Sequence, residues 1–106
     1  MNTFGISEPS FHHLIETFRK HPQIEEVIIF GSRAKGTHEH GSDIDLAIKG
    51  EGCDAKLAWD LSGVINERLP IPYFVDVVDL NSLKHEGLRE HIARVGKTFY
   101  PITSPA

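Results

Sequence analysis

The sequence predicts an α/β domain, a small mixed β-sheet with helices packed mainly on one face. Three observations predict it. Apolar residues recur at helical spacing in three separate stretches, short β-branched runs at 25–30, 43–49 and 73–78 lie between them, and glycine, proline and polar clusters mark the changeovers. Segments that alternate between the two periods must bury sheet faces under helices, which is the layered α/β solution.

Each element has its own signals. Ser7-Glu8-Pro9 reads as a helix start, with Ser7 as cap and Pro9 in the first turn, and Phe11, Leu14, Ile15 and Phe18 follow at helical spacing. His21-Pro22 ends that helix. Glu25 to Phe30 reads as a largely buried strand, and Arg33 to Ser42 as a turn, a short helical piece and a loop. The second strand runs from Asp43 to Lys49. Gly50-Glu51-Gly52 breaks it, and Asp54 caps a helix with Leu57, Leu61, Val64, Ile65 and Leu69 on its apolar side. Pro70 and Pro72 bracket its exit. Tyr73 to Val78 makes a third strand, and Asn81 or Ser82 is expected to cap a last helix bearing Leu83, Leu88, Ile92 and Val95. Gly96 is placed as its C′ residue, Lys97 to Tyr100 as a final strand, and 101–106 as a loose tail.

Length and composition bound the function. A chain of 106 residues suits one domain with a modest core, so 1–106 is expected to be a single unit. A net charge of -4 argues against a protein that coats nucleic acid, although a cation can bridge an acidic site to an anionic nucleotide. No apolar run approaches the ~18 residues of a membrane span, and the first residues lack signal-peptide character. The single Cys53 cannot form an internal disulfide. The expected compartment is the cytoplasm.

The chemistry concentrates in three places. Gly31-Ser32 is followed, after ten intervening residues, by Asp43-Ile44-Asp45, and a third carboxylate, Asp76, sits inside the later apolar strand. Two carboxylates one residue apart on a strand share a face, so Asp43 and Asp45 converge with Ile44 behind them. Like charges side by side repel unless a cation or donor relieves them, and oxygen ligands suit a hard ion such as Mg²⁺. A Gly-Ser turn lets backbone amides approach a phosphate closely. Asp79 competes with Asp76 for the third position, but its spacing places it on the opposite face, where a cap or turn role fits. His38 and His40 flank Glu39 in the loop before Asp43 and invite a zinc reading, but without a cysteine pair they read rather as solvated, or as residues that meet substrate phosphates or tune the metal site. Trp59 lies off the apolar stripe of its helix, so it is either a core-edge residue or part of a partner interface.

Three blocks carry a resemblance: Gly31-Ser32-Arg33-Ala34-Lys35-Gly36, Ser42-Asp43-Ile44-Asp45-Leu46 and Val75-Asp76-Val77-Val78-Asp79-Leu80. In order and spacing the chain resembles the minimal nucleotidyltransferases of the DNA polymerase beta superfamily. The resemblance implies a small nucleotidyltransferase fold and transfer of a nucleoside monophosphate from an NTP, expected to be ATP, to a hydroxyl. Gly31 and Ser32 would contact the triphosphate, with Arg33 and Lys35 adding positive charge near it or simply solvated. Asp43, Asp45 and Asp76 would hold Mg²⁺, two ions being expected, and Asp76 would help deprotonate the acceptor. Lys35 stands where relatives often have Arg, giving a point charge in place of a planar fork. Larger members carry a further helical domain, which a sequence of this length is not expected to hold. The resemblance therefore implies a partner, typically a small all-helical HEPN-type protein encoded nearby, for which the nucleotidyltransferase serves as antitoxin by AMP transfer or by binding. A non-catalytic module that occludes the partner, and a small-molecule nucleotidyltransferase, remain the alternatives; homo- or hetero-oligomers fit either.

Overall fold

A computed structural model describes residues 4–101. Along the chain come α1 (Glu8–Arg19), β1 (Glu26–Phe30), α2 (Ser32–Lys35), β2 (Ile44–Lys49), α3 (Ala55–Arg68), β3 (Val75–Asp79), α4 (Glu86–Val95) and β4 (Lys97–Tyr100). The four strands form one mixed sheet in the order β3-β2-β1-β4. β1 pairs antiparallel with both β2 and β4, whereas β2 and β3 run parallel. A parallel pair needs a crossover between its strands, and α3 supplies it.

Strand alternation sorts the apolar residues onto two faces. Val27, Ile29, Ile44, Leu46, Ile48, Val75 and Val77 pack with Leu14, Ile15 and Phe18 of α1 and with Ala58, Leu61 and Ile65 of α3. Burying a side chain such as Phe18 is worth about 1.5–3 kcal/mol, and such contacts hold helices that would be marginal alone. On the other face Ile28, Phe30, Ala47 and Val78 meet Leu88, Ile92 and Val95 of α4. Helices thus lie mainly on one face, with α4 alone of the long helices on the other.

The caps follow local chemistry. Ser7 accepts from the Ser10 amide and Asp54 from the Leu57 amide, as their positions predict. The start of α4 differs from expectation. Its cap is His85, whose Nδ1 accepts from the Leu88 amide at 3.0 Å. Asn81 and Ser82 instead belong to a turn closed by Asp79, whose carboxylate accepts from both of their amides at 3.4 and 3.1 Å. Leu83 still packs against α4 from this turn, which is why it mimics a first helical residue. Gly96 is also not a left-handed C′ residue: its φ is -61°, and it is glycine because a Cβ would lie 2.3 Å from the Ile92 carbonyl oxygen. Of the expected tail only Pro101 is described; the remainder lies outside the described residues.

Candidate active site

The parallel pairing of β2 and β3 sets the site. Asp45 and Asp76 are register partners on neighbouring strands, flanked by Ile44 opposite Val75 and Leu46 opposite Val77. Because those flanking residues point into the main core, the two carboxylates emerge together on the α4 face. Asp43 lies one residue before β2 and is exposed, Asp45 is partly buried, and Asp76 is exposed on the edge strand. Alternation within β3 spares Asp76 the burial that its apolar surroundings in sequence would suggest.

The carboxylates feel one another. The Asp45 carboxyl is raised above its ordinary range, first by burial, then by the negative charges of Asp76 and Asp43, with His91 opposing the shift. An all-oxygen, acidic and partly open donor set of this kind fits a hard divalent cation. Among the described residues no three His, Cys, Asp or Glu side chains form a ready-made metal cage. A Mg²⁺ ion needs only one or two protein carboxylates, its coordination being completed by water and substrate oxygens.

Gly31 brings the turn against this set. Its φ is +75°, and a Cβ there would lie 2.5 Å from Asp45 Oδ2, so both backbone conformation and space demand glycine. The Gly31 amide donates to His91 Nε2 at 3.2 Å, and the His91 ring stands edge-on to Phe30. Ser32 opens α2 and is partly exposed. His91 is a member of this cluster that the sequence did not disclose, since it lies 60 positions from Gly31 on a helix with no motif around it.

Arg33 corrects the expectation of a solvated or phosphate-facing cation. It is 2% exposed. Its Nε and Nη2 donate to the Ser42 carbonyl at 3.1 and 2.7 Å, its Nη1 donates to the Phe4 carbonyl at 2.8 Å, and its guanidinium lies over the Tyr73 ring. By holding Ser42, it fixes the approach to Asp43 from the turn beside Gly31 and Ser32. Lys35 is exposed. His38 and His40 line a separate cavity of about 300 Å³ with Arg33 and Tyr73; His38 Nδ1 is buried there without a hydrogen-bond partner.

Two polar residues of α3 support Asp76 from behind. Asn66 donates to the Val75 carbonyl at 2.7 Å and accepts from the Val75 amide at 2.9 Å. Ser62 accepts from the Val77 amide at 3.0 Å and donates to the Val77 carbonyl at 3.5 Å. The outward backbone groups on both sides of Asp76 are therefore satisfied by side chains of one helix, one turn apart. A cavity of about 470 Å³ between α4, β1 and β4 holds neither the turn nor a carboxylate of the set.

Comparison with known proteins agrees with this geometry. Residues 12–103 match the family model described as Polymerase beta, Nucleotidyltransferase. Among solved structures, the chain is similar to one in a toxin–antitoxin crystal structure with AMP-PNP, at 28% identity and a TM-score of 0.69, covering 85% of this chain and 72% of that one. It is similar to a chain in tri-AMPylated Shewanella oneidensis HEPN toxin in complex with MNT antitoxin, at 25% identity and a TM-score of 0.64, with coverage of 86% and 69%. A chain of the toxin–antitoxin MntA-HepT shares the fold, with a TM-score of 0.65 at 24% identity over 89% of this chain and 72% of that one. No curated protein matches. With a family model spanning nearly the whole described chain, and the turn and acidic strands in their places, this protein belongs to the polymerase beta nucleotidyltransferase family.

Proposed function

We propose that this chain transfers AMP from ATP to a hydroxyl on a small helical partner of the HEPN class, and thereby acts as an antitoxin. The observation that carries the reading is the register of Asp45 opposite Asp76 on parallel strands, with Asp43 beside them and the Gly31-Ser32 turn against Asp45. The similar complexes support the choice of nucleotide and partner, since one contains AMP-PNP and another a tri-AMPylated HEPN toxin bound to an MNT antitoxin.

In this reading the Gly31 amide and the Ser32 amide and hydroxyl bind the triphosphate, and the Gly31 amide exchanges His91 for a phosphate oxygen. Bound Mg²⁺, held by Asp43, Asp45 and Asp76, would supply charge neutralisation between these carboxylates and the phosphates. Arg33 keeps the Asp43 segment in register with the turn. Asp76 accepts the proton of the acceptor hydroxyl. The acceptor oxygen forms its bond to the α-phosphorus as the bond to the β-bridging oxygen breaks, and pyrophosphate leaves with that electron pair.

A non-catalytic module that occludes its partner is the second reading, favoured by the large apolar side chains Trp59 and Phe74 that the fold leaves exposed. Calorimetric titration of ATP with and without Mg²⁺ tests the first. Metal-dependent binding that disappears in the Asp43→Ala/Asp45→Ala double variant, with folding intact, is the expected result. Metal-independent binding that survives the double variant would refute it.

A further inference from the structure

The surface beside Asp76 carries large apolar side chains that the core does not use. Trp59 is 81% exposed and Phe74 57% exposed. Together with Gly63, Asn66, Glu67 and Asp76 they line a groove of about 370 Å³ between α3 and β3. Isolated exposed apolar residues are ordinary, but two aromatic rings flanking one groove, next to a carboxylate of the candidate site, are the composition of a protein-binding patch.

Two features of the fold say what the groove takes. The first is its position relative to the phosphate turn. Gly31 and Ser32 follow β1, whereas Asp76 lies on β3, two strands away across β2 and so roughly 10 Å distant at ordinary strand spacing. In-line displacement places the entering and leaving oxygens on opposite sides of the phosphorus. With the triphosphate at the β1 end, the acceptor must come from the β3 end, where the groove opens. The second is the sealed edge. Ser62 and Asn66 occupy the outward amides and carbonyls of Val75 and Val77, so no strand can be added to β3 along them. The occupant must dock by its side chains.

We infer that the α3/β3 groove is the docking surface for the acceptor protein, which lays an amphipathic helix across Trp59 and Phe74 and so brings its hydroxyl to Asp76. This rests on the transfer reading above for the role of Asp76, and it adds where and how the partner binds. Glu67 and Asp76 are the charged members of the groove's lining, so the docking helix carries a basic residue beside its apolar anchor.

The test uses the full chain and a small helical protein of the HEPN class proposed above as its partner. Affinity for that protein is measured for the native chain, Trp59→Glu, Phe74→Glu and, as a control on the same helix outside the groove lining, Val64→Glu; ATP affinity of each chain alone is measured in parallel. Trp59→Glu and Phe74→Glu should weaken the complex by about tenfold or more, as loss of an aromatic anchor does, leaving ATP affinity and the Val64→Glu complex unchanged. Four results would overturn the inference: no binding by the native chain, partner affinity unchanged in both groove variants, ATP affinity falling in parallel with partner affinity, or a native dimer that Trp59→Glu dissociates while partner affinity stays the same. A complex that forms, is lost in Trp59→Glu and persists in Asp43→Ala, but yields no AMP adduct, would uphold the docking surface and refute the transfer reading.

Discussion

Asp45 concentrates the electrostatic cost of this fold. Its carboxyl is raised by burial and by two like charges, so the folded chain holds that proton more tightly than the unfolded chain. Stability is then lost as pH rises from the ordinary carboxylate range through the raised value. Asp45→Asn should therefore raise the melting temperature of the metal-free protein at neutral pH, with the gain vanishing in acid below the ordinary range; thermal melts across pH check this, and a destabilised variant at neutral pH would contradict it. Arg33 behaves in the opposite sense, because its charge is fully engaged by two carbonyls and an aromatic face. Arg33→Lys keeps the charge but loses the fork, and should cost about 1–3 kcal/mol of stability by denaturant titration; unchanged stability with weakened ATP binding would restore it to the phosphates. The sequence exposed the acidic residues because strand alternation fixes their facing. It hid the role of Arg33, since a basic residue in a polar, glycine-bearing segment looks solvated until the Ser42 and Phe4 carbonyls are brought to it.

Strands were the most legible elements, since β-branched runs bounded by turns leave few alternatives, and the parallel β2–β3 pair follows once α3 must cross between them. The ends were less so. The start of α4 was misplaced because Asn81 and Ser82 are good caps and Leu83 is apolar, while the Asp79 carboxylate that claims both amides for a turn acts only once β3 is formed. Support of β3 by α3 was equally hidden, because Ser62 and Asn66 look like ordinary polar positions on a helix. Asn66→Ala removes both bonds to Val75 and should lower stability by about 1–2 kcal/mol while loosening β3 specifically. Hydrogen exchange should show faster loss of protection at Val75 than in β1 or β2; uniform change across the sheet would mean that Asn66 matters only to the helix.

At the scale of the whole molecule, the sheet order separates two tasks. In the proposed transfer the glycine-serine turn at the end of β1 would face the donor and the β3 edge with its aromatic groove the acceptor, with Asp45 between them on β2. Among the described residues no helix is long and apolar enough to cross a membrane. This division of labour predicts that chemistry and docking can be lost independently. The most direct measurement is incubation of the chain with labelled ATP, Mg²⁺ and a small helical protein of the HEPN class, followed by mass spectrometry of both proteins. An AMP adduct on the partner that requires the metal and disappears in Asp43→Ala is the predicted result. A tight complex with no adduct under the same conditions would contradict transfer and leave an occluding binder.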